Sequence, residues 1–337
     1  MKIAIQPIGP DSGKINSFGG GEARWNINVY DILKREGYDV HYLAPGQDEG
    51  FDLYLDTSWA FCKQVKSKKH VHFSFGDMIG GAMLPQARQL ECFRKGGCIV
   101  SNPYRVGHDR NVALRDEENV DFVPVFIPMP FADVYKPSLD TPPFDRKEIV
   151  WATKGCFTPA FEGDPGYNYI PNNAALTLRA LVKLNQRVDF KINFILSHHL
   201  GEAHPRHNIP ELLSKFKDVN KVETAPWTEL LKLMARSKLN VPIGGLQASV
   251  MESVFATSLP VLYQDSRYYP IVEREICLLP PVREATEDDI YNALETFWFD
   301  EKAYKKAWEF YQDSINRDHT TSGWMRNFKE ALETMDL

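Results

Sequence analysis

The sequence predicts an α/β protein built from two doubly wound domains that face each other across a cleft. Its 337 residues exceed what one hydrophobic core usually supports. Short apolar runs alternate with amphipathic helical patterns, which predicts parallel sheets covered by helices. This alternation stops once, in a Pro-, Asp- and Thr-rich segment between Phe131 and Lys147, and then restarts. We therefore expect a first domain over residues 1–146, a second over 147–300, and C-terminal helices over 301–337 that pack back towards the first.

The first half opens with a buried-strand pattern, MKIAIQPIG, followed by a glycine-rich loop that runs to FGGGE. An amphipathic helix is predicted to begin near Ala23, and Gly37 is suited to end it. Further strand patterns follow in the segments DVHYLAP, FDLYLDTS, KHVHFSFGD, GGCIVSNP and VDFVPVFIP. Together they predict the strands of the first parallel sheet.

The second half repeats the alternation. Strands are predicted in KEIVWATKG, FKINFILSHH, KLNVPIG and LPVLYQD, and helices in NNAALTLRALVKLNQ, TELLKLMARS and SVMESVFATS. Residues from Asp288 to Leu337 carry helical patterns such as IYNALETFWF and KAYKKAWEFYQDSI.

Composition and charge exclude several classes of protein. Hydrophobic residues make up 43% and charged residues 25% of the chain, which is typical of globular proteins and too apolar for a disordered one. The net charge of −6 argues against coating nucleic acid through a bulk positive field. We expect neither a membrane span nor a secretory signal, because no apolar stretch has the length or flanks of either. The scattered cysteines contain no CxxC pair and suit a reducing cytoplasm (Cys62, Cys92, Cys98, Cys156 and Cys277).

Two candidate site segments lie in the first half, at predicted carboxyl ends of strands, where α/β sheets bind ligands. In the loop before the first helix, Gly20 and Gly21 allow a ligand to approach the backbone closely, and Glu22 follows them. The alternative is a flexible loop in which Glu22 is only a favourable first-turn acid. In HFSFGDMIGG, Asp77 could remove a proton from an incoming hydroxyl, or it could simply stabilise a turn.

Two more segments lie in the second half. Lys154, in WATKGCF, could neutralise a diphosphate, or it could be a surface lysine that covers Trp151. The segment VPIGGLQASVMESVFATSLPVLY joins a strand, a glycine turn at Gly245 and a helix. Backbone N–H groups from Leu246 to Ser249 could hold phosphate, and Glu252 could accept hydrogen bonds from the vicinal hydroxyls of a ribose. The alternative is an ordinary capped helix in which Glu252 faces water.

Histidines and a tryptophan complete the set of candidates. His198 begins a histidine-rich stretch that lacks a recognisable metal-ligand pattern, so we expect a ligand-facing or solvated loop and no tightly bound metal. Trp227 could stack on a flat base, or it could be the hydrophobic residue that begins the helix at Thr228. These two readings are compatible.

The motifs resemble those of GT-B glycosyltransferases, which have two Rossmann-like domains. FGGGEARWNINVYDILKREGYDV is similar to their glycine loop and first helix, and VPIGGLQASVMESVFATSLPVLY to their nucleotide-sugar segment. The resemblance covers nearly the whole chain in order and implies an acceptor-side first domain and a UDP-sugar-binding second domain. Gly244 occupies the place of the first glutamate of the common retaining pattern, which argues against retention.

Within that family, MKIAI with Gly9, the FGD motif and the closing WMRNFKEAL are similar to landmarks of the DNA β-glucosyltransferases of T-even phages. This resemblance implies inverting transfer of a sugar from a UDP-sugar to the hydroxymethyl group of a modified pyrimidine in DNA, in the host cytoplasm. It also implies roles for four residues: Asp77 as general base, Glu22 against the sugar, Lys154 near the diphosphate and Glu252 on the ribose.

Three alternatives remain open from the sequence. One is a GT-B transferase that acts on a polysaccharide, lipid or small-molecule acceptor. Another is a non-catalytic protein that binds sugar nucleotides. A third is a nucleotide-dependent epimerase, which would need paired acid and base groups around the sugar. The sequence leaves the oligomeric state undetermined.

Overall fold

A computed structural model provides the structure of the protein. It describes residues 1–7, 21–56, 64–73, 98–101, 108–109, 112–113, 115, 122–151, 170–195, 209–222, 225–241, 248–263, 278–281 and 284–337. The chain divides into two compact units, one formed by Met1–Tyr135 with Asn316–Leu337 and the other by Lys136–Ile315.

The first unit contains a parallel sheet of six strands in the order β2-β1-β3-β4-β5-β6. Its elements are β1 (Lys2–Ile5), α1 (Gly21–Arg35), β2 (Asp39–Tyr42), β3 (Leu53–Asp56), β4 (Lys69–Phe73), β5 (Cys98–Ser101) and β6 (Phe122–Val125). Each strand coincides with one of the apolar runs in the sequence. The central strands are buried, as expected for a parallel sheet that is covered on both faces.

Helix α1 packs an apolar face on this sheet and ends as the sequence predicts. Trp25, Val29 and Leu33 lie on its buried side, and the Trp25 ring is 4.1 Å from that of Phe73, centroid to centroid. Gly37 has a φ angle of +86°, in the left-handed region that glycine adopts at little cost. The glycine therefore turns the chain from α1 into β2.

The C-terminal segment belongs to the first unit through specific hydrogen bonds. The indole N–H of Trp324 donates to the Pro128 carbonyl at 2.7 Å, and the ring Nδ1 of His319 donates to the Met129 carbonyl at 2.8 Å. The backbone N–H of Phe131 donates to the His319 carbonyl at 2.8 Å. Trp324 is completely buried, so the last helix is part of this core.

The second unit contains a parallel sheet of five strands in the order β11-β10-β7-β8-β9. Its strands are β7 (Glu148–Trp151), β8 (Lys191–Ile195), β9 (Val219–Val222), β10 (Ser237–Asn240) and β11 (Leu259–Pro260). The helices from here to the C-terminus are α2 (Ile170–Arg187), α3 (Ile209–Ser214), α4 (Trp227–Arg236), α5 (Ala248–Phe255), α6 (Glu287–Phe299), α7 (Glu301–Asp318) and α8 (Thr321–Thr334). When these five strands are numbered by their order in the chain and the sheet is read from β9 to β11, their order is 3-2-1-4-5. This is the doubly wound order of dinucleotide-binding sheets. The predicted α/β class with two parallel sheets is confirmed.

One strand and one α-helix of the second unit were not predicted. Strand β9 has the sequence VNKV and is partly exposed along its length, so it carries little of the apolar signal of a buried strand. Helix α3 is only six residues long, too short for a clear periodic pattern.

Candidate functional site

The strand order of the second unit defines a crevice between β7 and β10. The order reverses at these two strands, and ligands of open α/β sheets bind beyond the carboxyl ends of the strands at such a point. Val150 in β7 is the register partner of Asn240 in β10, and the N–H of Val241 donates to the Val150 carbonyl at 2.9 Å. The chain therefore leaves both strands at neighbouring positions, towards the segments that contain Lys154 and Gly245.

Helix α5 begins beside the end of β10 and is tied to it by a side chain. The Asn240 amide nitrogen donates to the Ser249 carbonyl at 3.2 Å. Asn240 is completely buried and Ser249 is 8% exposed. Within the described residues, the Asn240 Oδ1 and the Ser249 Oγ have no hydrogen-bond partner. Asn240 was missed in the sequence, where the available signal was a polar residue that ends an apolar strand pattern.

A buried hydrogen bond joins two of the predicted site residues. The indole N–H of Trp227 donates to Glu252 Oε1 at 2.9 Å. Trp227 is 1% exposed and Glu252 is completely buried, so the alternative in which Glu252 faces water is wrong. Trp227 is the first residue of α4, one residue earlier than the predicted start at Thr228. The structure thus brings a carboxylate of α5 and an indole of α4 together.

The far end of α5 is held by three further side chains. Gln312 donates to the Val254 carbonyl at 2.6 Å, and Arg146 Nη1 and the Trp308 indole N–H donate to the Thr257 carbonyl at 2.8 and 3.2 Å. Thr257 has a φ angle of +66°, which is costly for a β-branched residue. Burial lowers the pKa of the Arg146 guanidinium. These contacts hold the backbone in a conformation that threonine disfavours and fix the position of α5.

A buried acid at the carboxyl end of β3 contacts two histidines of the neighbouring strand β4 in the first unit. Asp56 Oδ1 is 2.6 Å from His72 Nδ1, and Asp56 Oδ2 contacts His70 Nε2. Burial alone would raise the pKa of the Asp56 carboxyl, but the two imidazoles lower it to about 2. Burial lowers the pKa of His72, and the neighbouring Asp56 opposes this effect.

This cluster, Asp56 with His70 and His72, was not predicted as a group. It lies just before the segment that contains Asp77, since β4 ends at Phe73. The cluster therefore fixes the strand end from which the predicted catalytic segment starts.

The other predicted site residues are described only in part. Gly21 is the first residue of α1 and Glu22 the second, but the Glu22 side chain lies outside the description. Outside the described residues lie Gly20, Asp77, Lys154, His198, Gly245 and Leu246. Among the residues that are described, no group of three or more His, Cys, Asp or Glu side chains could hold a metal ion. In the same part of the chain, no helix is both long enough and apolar enough to cross a bilayer.

Comparisons with solved structures identify proteins with the same architecture. HepE of Anabaena in complex with UDP-glucose superposes with a TM-score of 0.63 at 12% identity, over 99% of this chain and 100% of that chain. A putative UDP-N-acetylglucosamine 2-epimerase from Listeria monocytogenes has a TM-score of 0.57 at 11% identity, over 94% and 95% of the two chains. AviGT4, a glycosyltransferase involved in avilamycin A biosynthesis, has a TM-score of 0.50 at 12% identity, over 94% and 98%. No protein-family model matches the sequence, and no curated protein is similar to it in sequence.

At these identities the likeness establishes the fold. The chain has the two-sheet α/β fold of these proteins, the fold of GT-B glycosyltransferases, and the predicted fold class is confirmed.

Proposed function

We propose that this protein is a glycosyltransferase that uses a UDP-sugar donor. The observation that carries the proposal is the switch point of the second sheet, where β7 and β10 end side by side and α5 presents the buried Glu252. Structures of the same fold have been determined with UDP and with UDP-glucose, which supports UDP as the nucleotide.

The donor contacts follow from the chemistry of each group. Glu252 accepts hydrogen bonds from the two ribose hydroxyls, because an ionised carboxylate offers only acceptors. Backbone N–H groups from Leu246 to Ser249, after Gly245, bind a phosphate at the start of α5. We assign Lys154 to the diphosphate and Glu22 to the sugar. Gly20, Gly21 and His198 are assigned to donor binding in general.

The transfer proceeds with inversion. Asp77 takes the proton from the acceptor hydroxyl while the oxygen of that hydroxyl attacks the anomeric carbon. The bond between that carbon and the diphosphate oxygen breaks, and UDP leaves with the electron pair. Lys154 and the helix N–H groups stabilise the charge that develops on UDP.

We further propose that the acceptor is the hydroxymethyl group of a modified pyrimidine in phage DNA. The support is the order of sequence landmarks shared with the DNA β-glucosyltransferases of T-even phages. A base inside a duplex cannot reach an active site, so it would be flipped out of the stack for the reaction. The net negative charge of the chain predicts weak general affinity for DNA that depends on local contacts.

Transfer of labelled glucose from UDP-glucose to DNA that contains hydroxymethylcytosine tests the proposal. Unmodified DNA of the same sequence should receive no label. Asp77→Asn should lower the rate about 100-fold or more while it leaves UDP binding unchanged. The exposed Asp133→Asn is the matched control and should retain full activity. Label on a polysaccharide or lipid acceptor would replace the DNA proposal, and UDP binding without transfer to any acceptor would favour a non-catalytic binding protein.

A second candidate activity is epimerisation of UDP-N-acetylglucosamine at C2. Several structures of the same fold are named UDP-GlcNAc 2-epimerases, from Listeria monocytogenes, Neisseria meningitidis and Methanocaldococcus jannaschii. Incubation of the protein with UDP-GlcNAc alone, followed by proton NMR of the sugar, would reveal a C2 epimer. Its formation without an acceptor would favour this second activity over transfer.

A further inference from the structure

The contact between Trp227 and Glu252 joins two helices that are far apart in sequence. The residues are separated by 25 positions, and the N–H to carboxylate distance is 2.9 Å. Both side chains are buried, Glu252 completely and Trp227 to 99%, so solvent competes little for this hydrogen bond. A hydrogen bond to an ionised group is stronger than one between neutral groups, and burial strengthens it further.

The geometry restricts the carboxylate more than an ordinary contact would. The terminal torsion of a glutamate is broad, so a carboxylate that lacks partners samples many orientations of its plane. An indole has a single N–H that points in one fixed direction from the ring. Trp227 is enclosed at the start of α4, whose other buried side chains are Leu230, Leu231, Leu233, Met234 and Ala235. The enclosed donor therefore restrains the position of Oε1, one of the two carboxylate oxygens of Glu252.

The backbone that carries Glu252 is equally constrained. Asn240 binds the first turn of α5, Gln312 binds its last turn, and Arg146 holds Thr257 just beyond the helix. Within this fixed backbone, the hydrogen bond from Trp227 restricts the rotation of the Glu252 side chain.

We infer that Trp227 is a positioning residue of the donor site, whose indole N–H orients the Glu252 carboxylate towards the two ribose hydroxyls of the nucleotide. This inference rests on the proposed function and differs from the expectation that Trp227 stacks on the base. The role assigned here belongs to the indole N–H, which donates to Glu252, and not to the face of the ring. Pre-organised acceptors bind a ligand more tightly because less freedom is lost on binding.

The test compares UDP with 2′,3′-dideoxy-UDP, which lacks the ribose hydroxyls. Trp227→Phe keeps an aromatic ring but removes the N–H, and we expect it to raise the Kd of UDP about 10-fold. The Kd of 2′,3′-dideoxy-UDP should be the same for the variant and the unmodified protein, because this ligand makes no use of Glu252. Isothermal titration calorimetry on the full chain measures both constants.

Two further variants make the test specific. Glu252→Ala removes both acceptor oxygens and should weaken UDP binding while it leaves the binding of 2′,3′-dideoxy-UDP unchanged. Adding Trp227→Phe to it should cause little further loss of UDP binding, because the two residues act through one contact. Trp324→Phe removes a buried indole hydrogen bond of similar length in the first unit and is the matched control, which should bind UDP normally. If Trp227→Phe does not fold, 3-benzothienylalanine at position 227 replaces only the N–H by sulfur and takes its place.

The outcomes separate the inference from the function on which it rests. Equal weakening of UDP and 2′,3′-dideoxy-UDP binding by Trp227→Phe would mean a purely structural role and would overturn the inference, as would unchanged binding of UDP. In either case the unmodified protein still binds UDP, so the proposed donor stands. If the unmodified protein does not bind UDP, the proposed function fails and the inference fails with it.

Discussion

Lys238→Met should change the pH dependence of stability, because Lys238 is a buried ammonium whose closest contacts among the described residues include no carboxylate. Its Nζ donates to the Trp298 carbonyl at 2.7 Å and lies 3.5 Å from the centroid of the Phe144 ring. The rings of Trp298 and Tyr304 are 4.9 and 5.5 Å away. Lys238 is 2% exposed, and burial, with a smaller effect from Lys147, lowers its pKa from the usual 10.5 to about 8.

The sign of the effect follows from proton binding. Between pH 8 and 10.5 the unfolded chain holds the Lys238 proton more strongly than the folded chain, so this residue makes stability rise with pH in that window. A pKa that falls from 10.5 to about 8 corresponds to roughly 3 kcal/mol, at about 1.4 kcal/mol per pH unit. Methionine has a similar shape and no charge. We therefore compare the free energy of unfolding of Lys238→Met with that of the unmodified protein. The difference, variant minus unmodified, should become more negative by about 2 kcal/mol as the pH rises from about 7 to about 9.5.

Urea unfolding followed by tryptophan fluorescence at several pH values measures this difference. Other lysines, tyrosines and cysteines titrate in both proteins, so their contributions cancel in the comparison. Lys232→Met is the matched control, since that lysine is 59% exposed and its variant should show no such trend. Parallel stability curves for Lys238→Met and the unmodified protein would refute the argument that burial lowers the pKa of Lys238.

Two other substitutions test the first unit. Gly323→Ala should destabilise it by about 2 kcal/mol or more, because the new Cβ would lie 2.3 Å from the Arg317 carbonyl oxygen. Thermal unfolding should show this as a lower melting temperature, and an unchanged melting temperature would contradict the packing of α8. Asp56→Asn should reduce stability at neutral pH, because the carboxyl has a folded pKa of about 2, below its usual 3.8. Its contribution is present above about pH 4 and is lost as the pH falls towards 2, so the stability curves of the two proteins should converge there, and curves that stay parallel in acid would contradict the cluster.

Most of the fold was predictable because burial on both faces gives parallel strands continuous apolar runs. Every strand of the first sheet lies within a segment that the sequence predicts to be a strand, and so do β7, β8 and β10. The exceptions have physical causes. Strand β9 is partly exposed, and β11 spans only Leu259–Pro260, shorter than the predicted strand, since proline has no N–H to continue a ladder.

The partners within the site were less predictable, because they depend on tertiary structure. Glu252 was identified as a candidate from its place in a strand–turn–helix segment, but nothing in the spacing links it to Trp227 on another helix. That contact requires α4 and α5 to pack side by side, which follows from the strand order and not from the local pattern.

Asp56, His72 and Asn240 suggest a signal that sequence reasoning did not use. Each is a buried polar residue at or next to the carboxyl end of an apolar strand, the edge at which α/β sheets bind ligands. His70 and His72 are two residues apart and therefore share a face of β4, and the parallel register pairs Asp56 with His72. Once β3 and β4 are neighbours, alternation alone brings the carboxylate to both rings. A buried polar residue is costly unless it is paired, so an apolar run that ends in Asp, Asn or His indicates either a partner on the adjacent strand or a ligand beyond it.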